Sequence, residues 1–277
     1  DNEYFGPIKK GLWKGVKRYD LYKEGSLPYE WQPKLQQIAI ELGMDFFSTP
    51  FDMAGVDFLE SMKIPIYKIA SFEINDIPLI RYVAKKKKPM IISTGVADLD
   101  DIQLALDVCY KEGNNDITLL KCTSEYPATY AQANLLTIPD MIKRFNVKVG
   151  VSDHTLGDLV PIVAVSLGAK VVEKHFTLSR SNGGPDCDFS MEPQEFAEMV
   201  KHIRDVEKIM GEVKYDITDN ERNKRRSLYA KKNISEGDVF TDENVGSYRP
   251  GVGLSPRYWD ALLGKVSKRE IQKGDVL

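Results

Sequence analysis

Six short apolar or β-branched runs recur at 45–49, 66–70, 89–94, 116–122, 148–152 and 170–176, with starts 21, 23, 27, 32 and 22 residues apart. Helical patterns fill the gaps at 53–62, 77–86, 98–112, 136–145 and 157–167. Another, at 193–210, follows the last run, and one near 28–43 precedes the first. The pattern at 98–112 sets Ile102, Leu104, Ala105, Val108 and Cys109 on one face of a 3.6-residue period. Strand and helix alternating at this spacing demand a parallel sheet, because parallel neighbours need a crossover and a helix supplies it. Some of the runs are apolar on both sides, as a sheet covered by helices requires. A doubly wound sheet would announce itself by Gly-x-Gly-x-x-Gly after a strand, and no run here is followed by one. The pattern therefore reads as a TIM (β/α)8 barrel with six of its eight strands in this chain. The other two are expected before residue 1.

The texture changes after 210. Residues 213–226 are polar and charged, without apolar periodicity, and read as a linker closing the barrel domain at 1–212. From 227 to 277, short β-like runs alternate with Glu236-Gly237, Arg249-Pro-Gly251, Leu263-Gly-Lys265 and Lys273-Gly274. That is the pattern of a small all-β module, too small for an ample core of its own. It is expected to pack on a barrel, its own or a partner's.

Charge and cysteine usage narrow the function. Lys plus Arg is 38 and Asp plus Glu is 41, a net charge of −3, which gives no electrostatic footprint for nucleic acid. No run of 18 apolar residues exists to span a membrane. Cys109, Cys122 and Cys187 form no Cys-x-x-Cys pair, which favours a reducing cytoplasm over a disulfide framework or a zinc site.

Polar residues gather where strands end: Thr49, Ser71, Ser93, Thr123, Ser152 and His175 stand at or just past a run. In a barrel that is the catalytic face. Two of the three histidines, His154 and His175, end consecutive strands and so can address one ion. Two neutral nitrogens with oxygens and water suit Mn2+, Co2+ or Mg2+ better than a structural zinc. Taken singly, each fits a hydrogen-bonded core histidine better; as a pair the two readings stand level, and His202 reads as structural. Lys68 and Lys121 interrupt apolar strands, which costs energy unless they meet a polar site. With the rim hydroxyls they would suit an anionic, phosphate-bearing ligand, although each could also snorkel from a strand end. Asp186, after Gly183-Gly-Pro, could be an acid, a base or a metal partner held over the barrel mouth, or an ordinary turn residue.

The same residues resemble the sialic acid synthase family, enzymes that condense phosphoenolpyruvate with an amino sugar. The matches are Phe47-Ser-Thr-Pro-Phe-Asp52, Lys68-Ile-Ala-Ser-Phe-Glu-Ile74, Ser93-Thr-Gly95, Cys122-Thr-Ser-Glu-Tyr-Pro127, Ser152-Asp-His-Thr155, Glu173-Lys-His-Phe-Thr177 and Gly184-Pro-Asp186. The tail, with Arg226-Ser-Leu, Arg249-Pro-Gly251 and Leu263-Gly-Lys265, resembles the family's antifreeze-like (SAF, β-clip) domain. Within the family, Ala70-Ser-Phe-Glu73, Ser152-Asp-His-Thr-Leu-Gly157, Gly183-Gly-Pro-Asp186 and the opening Gly11-Leu-Trp-Lys-Gly15 look most like pseudaminic acid synthases. N-acetylneuraminate synthases tend to carry a small residue where Phe72 stands.

The resemblance implies a divalent metal, Mn2+ above all, on His154 and His175. It implies phosphoenolpyruvate on Lys68, Ser71, Ser93 and Ser152, with Ser124 and Tyr126 nearby, and Asp186 at the sugar and its protons. Arg249, from the SAF domain of a second subunit, would reach the sugar's acetamido group in a domain-swapped homodimer. Three rivals remain at this point: an N-acetylneuraminate or legionaminate-type synthase, another phosphoenolpyruvate-condensing barrel enzyme, and a non-catalytic carbohydrate-binding protein.

Overall fold

The computed structural model describes residues 6–9, 14–184 and 186–277. Gly11, Leu12 and Trp13 of the opening motif, and Pro185 of the Gly-Gly-Pro-Asp turn, lie outside the described residues. The chain divides into two compact units, Asp1–Gly211 and Glu212–Leu277.

In the first unit, α1 (Arg18–Gly25), α2 (Gln32–Glu41) and α3 (Met53–Ser61) lead into strand β1 (Tyr67–Ile69). There follow α4 (Ile77–Ala84), β2 (Met90–Ser93), α5 (Leu99–Lys111), β3 (Ile117–Cys122) and α6 (Thr137–Phe145). The unit continues through β4 (Lys148–Asp153), α7 (Leu159–Ser166), β5 (Val172–Lys174) and α8 (Pro193–Met210). Helices α3, α4 and α5 start where an aspartate satisfies a free backbone amide. Asp98 and Asp101 cap each other's amides at the head of α5, and Asp52 accepts from Gly55 N at 2.7 Å before α3.

The five strands pair in the order β1-β2-β3-β4-β5, all parallel. Tyr67, Ile69, Met90, Ile92, Ile117, Leu119, Val149 and Val151 turn to one side. There they join Leu79, Ile80, Leu106, Ile138 and Ala164 of the helices in one buried core. The alternate residues line the other side, since side chains change face at every residue. That side is concave: Lys68 Nζ on the first strand lies 3.4 Å from Glu173 Oε2 on the fifth. Neighbouring strands stand about 4.8 Å apart, so only a strongly curled sheet brings its first and last strands to ion-pair distance. The sheet is the wall of a (β/α) barrel.

Residues 45–49, read from sequence as a strand, form none. A strand exists through its ladder, and among the described residues β1 pairs only with β2. The run at 170–176 is also shorter as a strand. Past Lys174 the chain bridges instead to the segment before α8, with Met191 N donating to His175 O and Thr177 N to Met191 O, both at 2.9 Å.

The second unit is built on the antiparallel pair β6 (Ser227–Ala230) and β7 (Val245–Tyr248). Its core is Leu228, Ala230, Ile234, Phe240, Val245 and Ile271. Residues 213–226 are not structureless, because α9 (Asp219–Asn223) forms there. A capping box between Thr218 and Glu221 holds that helix where apolar periodicity is lacking. Nor is the module purely β: a 3-10 turn at Pro256–Tyr258 runs into the single helical turn α10 (Trp259–Leu262).

Candidate active site

The concave face carries a polar row. Lys68 is buried on β1 and donates to Ser93 Oγ on β2 at 2.8 Å and to Ile69 O at 3.2 Å. On the far strands Ser152 Oγ donates to Glu173 Oε1 at 2.6 Å. The register explains the grouping, since Cys122 stands opposite Ser152 and Ser152 opposite Glu173. One ammonium, two hydroxyls and one carboxylate thus face each other across the curl.

Beside that row lies a second group. Gly95 N donates to Ser71 Oγ at 3.1 Å, and Cys122 Sγ lies 3.6 Å from Ser124 Oγ. A Cβ on Gly95 would stand 2.2 Å from Ser124 Oγ and 3.0 Å from both Cys122 Sγ and Ser71 Oγ. Three polar groups therefore converge on a backbone position that tolerates no side chain. Burial would raise the Cys122 thiol, yet hydrogen bonds from His154, Ser71 and Ser124 bring it down to about 7.

Both histidines named from sequence come together. Their ring centroids are 5.2 Å apart. His154 Nδ1 lies 2.7 Å from Thr123 O. A carbonyl only accepts, so Nδ1 carries the proton, and the ring also bonds the Cys122 thiol. Burial resists charge on His154, but its contacts with Cys122 and Thr123 O raise its pKa above the ordinary value. Burial lowers that of His175, with Asp186 opposing and His154 assisting. Asp186 Oδ2 is 3.6 Å from His175 Nδ1. Buried Phe189 closes the back of the pair, 5.0 Å from the His175 ring and 6.1 Å from that of His154. Tyr126 lies over His154 at 4.4 Å, its hydroxyl pushed up to about 12, chiefly by burial.

Lys68, Ser71, Ser93, Ser124, Tyr126, Ser152, His154, His175 and Asp186 therefore all belong to this end of the sheet. Arg249 belongs to the second unit, exposed just past β7. Lys121, grouped from sequence with Lys68, takes the other row of β3. It shares the parity of Ile117 and Leu119 and donates to Thr123 Oγ1 at 2.7 Å. His202 sits on α8 with Nδ1 2.6 Å from Asp158 Oδ2, a contact between helices.

Sequence reasoning left four groups unassigned. Glu173 and Lys174 interrupt a short strand as Lys68 does, and the desolvation argument that singled out Lys68 applies to them. Glu73 has a buried Oε2 with no hydrogen-bond partner, and burial raises its pKa. Only the fold exposes Phe189, whose spacing from either histidine carries no signal.

A parallel barrel wall thus carries a polar row, two imidazoles and a carboxylate at its strand ends, and a small, largely β unit follows in the chain. Residues 2–215 match the NeuB family and residues 225–277 the SAF domain. The chain belongs to the NeuB family. It is 43% identical to the pseudaminic acid synthase of Campylobacter jejuni over 98% of this chain and 80% of that protein. Against the N,N'-diacetyllegionaminic acid synthase of the same organism it is 40% identical, over 84% of this chain and 71% of that one. Among solved structures, the N-acetylneuraminic acid synthetase of Leptospira borgpetersenii in complex with citrate superposes with a TM-score of 0.69. That match has 32% identity and covers 73% of this chain and 70% of the other.

Proposed function

We propose that this chain condenses phosphoenolpyruvate with the open-chain form of 2,4-diacetamido-2,4,6-trideoxy-L-altrose, making pseudaminic acid and releasing phosphate. The observation that carries this reading is the Lys68–Ser93 and Ser152–Glu173 row beside the His154–His175 pair. An ammonium with hydroxyls, suited to an anion, and two imidazoles, suited to an ion, stand side by side on one barrel face. The choice of sugar rests on the 43% identity to a pseudaminic acid synthase.

The donor set fits a divalent metal. Thr123 O orients the His154 ring through Nδ1, burial favours neutral His175, and Asp186 adds an oxygen beside it. Among the described residues no group of three or more His, Cys, Asp or Glu side chains is placed to hold an ion, so an ion on the two imidazoles would need substrate oxygens and water to complete its shell. His154 and His175 would hold Mn2+, or Mg2+ or Co2+ in its place, and the bound ion would supply Lewis acidity toward the sugar's aldehyde oxygen.

The chain's own groups do the rest. Lys68 and the hydroxyls of Ser71, Ser93 and Ser152 bind the phosphate and carboxylate of phosphoenolpyruvate, with Ser124 and Tyr126 closing the site. This holds C3 of the enol phosphate in place for attack on the aldehyde carbon. The new C–C bond turns the aldehyde oxygen into a hydroxyl, with Asp186 positioned to pass the proton, and leaves positive charge at C2. Glu173, accepting from Ser152, would steady that charge and take a proton from the water adding at C2. The C2–O bond to phosphate then breaks as the C2 hydroxyl gives its remaining proton to the departing phosphate, giving the 2-keto acid and inorganic phosphate.

Arg249 of a partner subunit contacts the acetamido group in a homodimer, and the reaction proceeds in the cytoplasm. The family resemblance supports the first and the three scattered cysteines the second. Among the described residues no helix is long and apolar enough to cross a membrane.

The test is phosphate release from phosphoenolpyruvate with Mn2+, with and without EDTA, using the altrose sugar and N-acetylmannosamine side by side. EDTA-sensitive release with the altrose sugar alone is expected. Release with N-acetylmannosamine instead moves the chain to the neuraminate branch. The legionaminate precursor is a third arm, included because of the 40% identity to that synthase.

A further inference from the structure

We propose that the buried Asp153–Lys174 ion pair is a positioning lock that sets the separation of the His154 and His175 imidazoles. The inference rests on the reading of that pair as a metal-holding centre. Asp153 and Lys174 stand opposite each other in the β4–β5 register, each immediately before its histidine. Side chains alternate across a sheet, so the ion pair lies on the far face from Ser152 and Glu173, and the next residue on each strand brings an imidazole back toward the site. The two charges are 3% and 1% exposed and 2.5 Å apart.

The network then encloses His154 from both sides. Asp153 Oδ1 accepts from Thr155 N at 2.9 Å and Oδ2 from Thr155 Oγ1 at 3.0 Å. Lys174 Nζ donates both to Asp153 Oδ2 and to Thr155 O. The residues before and after His154 are thus tied to one ammonium, and that ammonium belongs to the residue preceding His175. No other hydrogen bond or ion pair among the described residues joins the end of β4 to the end of β5 on this face. Packing alone does not call for it, since apolar side chains would cover these helices without desolvating two charges. What the charges add is direction: a hydrogen-bonded pair fixes a distance that packing leaves loose. Groups behind metal ligands act in this way on affinity.

The test compares Asp153→Asn, which keeps shape and removes charge, with Thr155→Val, which removes one hydroxyl and leaves the charges paired. Mn2+ affinity is read by electron paramagnetic resonance, folding by circular dichroism, and the imidazoles by two-dimensional 15N–1H spectra of metal-free protein. In folded Asp153→Asn, Mn2+ should bind about tenfold or more weakly, with KM for phosphoenolpyruvate changed less than about threefold. Thr155→Val should move both in the same sense by less. An unchanged Mn2+ affinity in both variants overturns the lock. If Asp153→Asn does not fold, Thr155→Val decides alone. If the wild-type chain binds no Mn2+, the metal reading falls and the imidazole signals decide: displaced His154 and His175 resonances in the variants uphold the lock, and unmoved ones overturn it.

Discussion

Glu73 shows what a single side chain reports when the fold buries one of its oxygens without a hydrogen-bond partner. Its Oε2 is buried and unbonded, and burial raises its pKa. A carboxyl whose pKa is raised on folding holds its proton longer than the unfolded chain does. Its contribution to stability is therefore intact below the unfolded value and declines as pH rises through the folded one. Glu73→Gln abolishes that decline, so wild type should lose melting temperature relative to the variant between pH 4 and pH 8. Parallel curves from the two proteins would refute the burial argument. At the histidines, either His154→Ala or His175→Ala should cut phosphate release below about 1% of wild type, with circular dichroism unchanged. Normal turnover in one of them would remove it from the metal centre. For Lys68, loss of a charge-assisted bond worth about 1.5–3 kcal/mol should raise KM for phosphoenolpyruvate about tenfold to a hundredfold in Lys68→Met. Steady-state kinetics at saturating sugar read this directly.

At the scale of elements, the strands decide which residues become chemistry. Lys68 and Lys121 look alike in sequence, each a lysine in an apolar run, but β1 turns the first to the concave face and β3 turns the second to the helix side. A one-residue change of phase reverses a side chain's face, and the apolar runs here leave that phase undetermined because both faces are covered. Glycine marks where strands approach most closely. On β4, a Cβ at Gly150 would fall 2.4 Å from Val171 O and 2.7 Å from Leu120 Cδ2. Gly150→Ala must therefore push β5 away or displace Leu120. Overpacking of this kind costs about 1–3 kcal/mol, to be measured by urea unfolding. Because His175 directly follows β5, the same variant should also weaken Mn2+ binding. A loss of stability with Mn2+ affinity intact would show that β5 moves without its histidine.

At the scale of the whole molecule, a site shared between subunits would show itself through Arg249. Arg249 sits in the second unit and the imidazoles in the first. If each site takes Arg249 from its partner, mixing inactive His154→Ala with impaired Arg249→Ala should restore part of the turnover. In mixed dimers one site then combines an intact pair of histidines with an intact arginine. No gain on mixing, with dimers confirmed by sedimentation, would place Arg249 outside the shared site. Arg249→Ala alone should raise KM for the sugar and spare that for phosphoenolpyruvate.

The order of strands and helices, the parallel sheet and the change of texture near 210 all stand in the linear pattern. Periodicity and turn residues are local, and a crossover helix between strands leaves only one kind of sheet. The histidines, the strand-end hydroxyls and Asp186 were legible as well, because polar groups at the ends of apolar runs have few places to go in a barrel. Residues 45–49 went the other way: their composition suits a strand, but a strand needs a neighbour's backbone, which composition does not supply. The same limit hid Glu173 at the far side of Lys68, Phe189 behind the imidazoles and the Asp153–Lys174 pair beneath them. Each of these depends on how tightly the sheet curls and on which face a residue takes. Curl and phase are settled by packing between strands distant in sequence, so only the tertiary structure decided them.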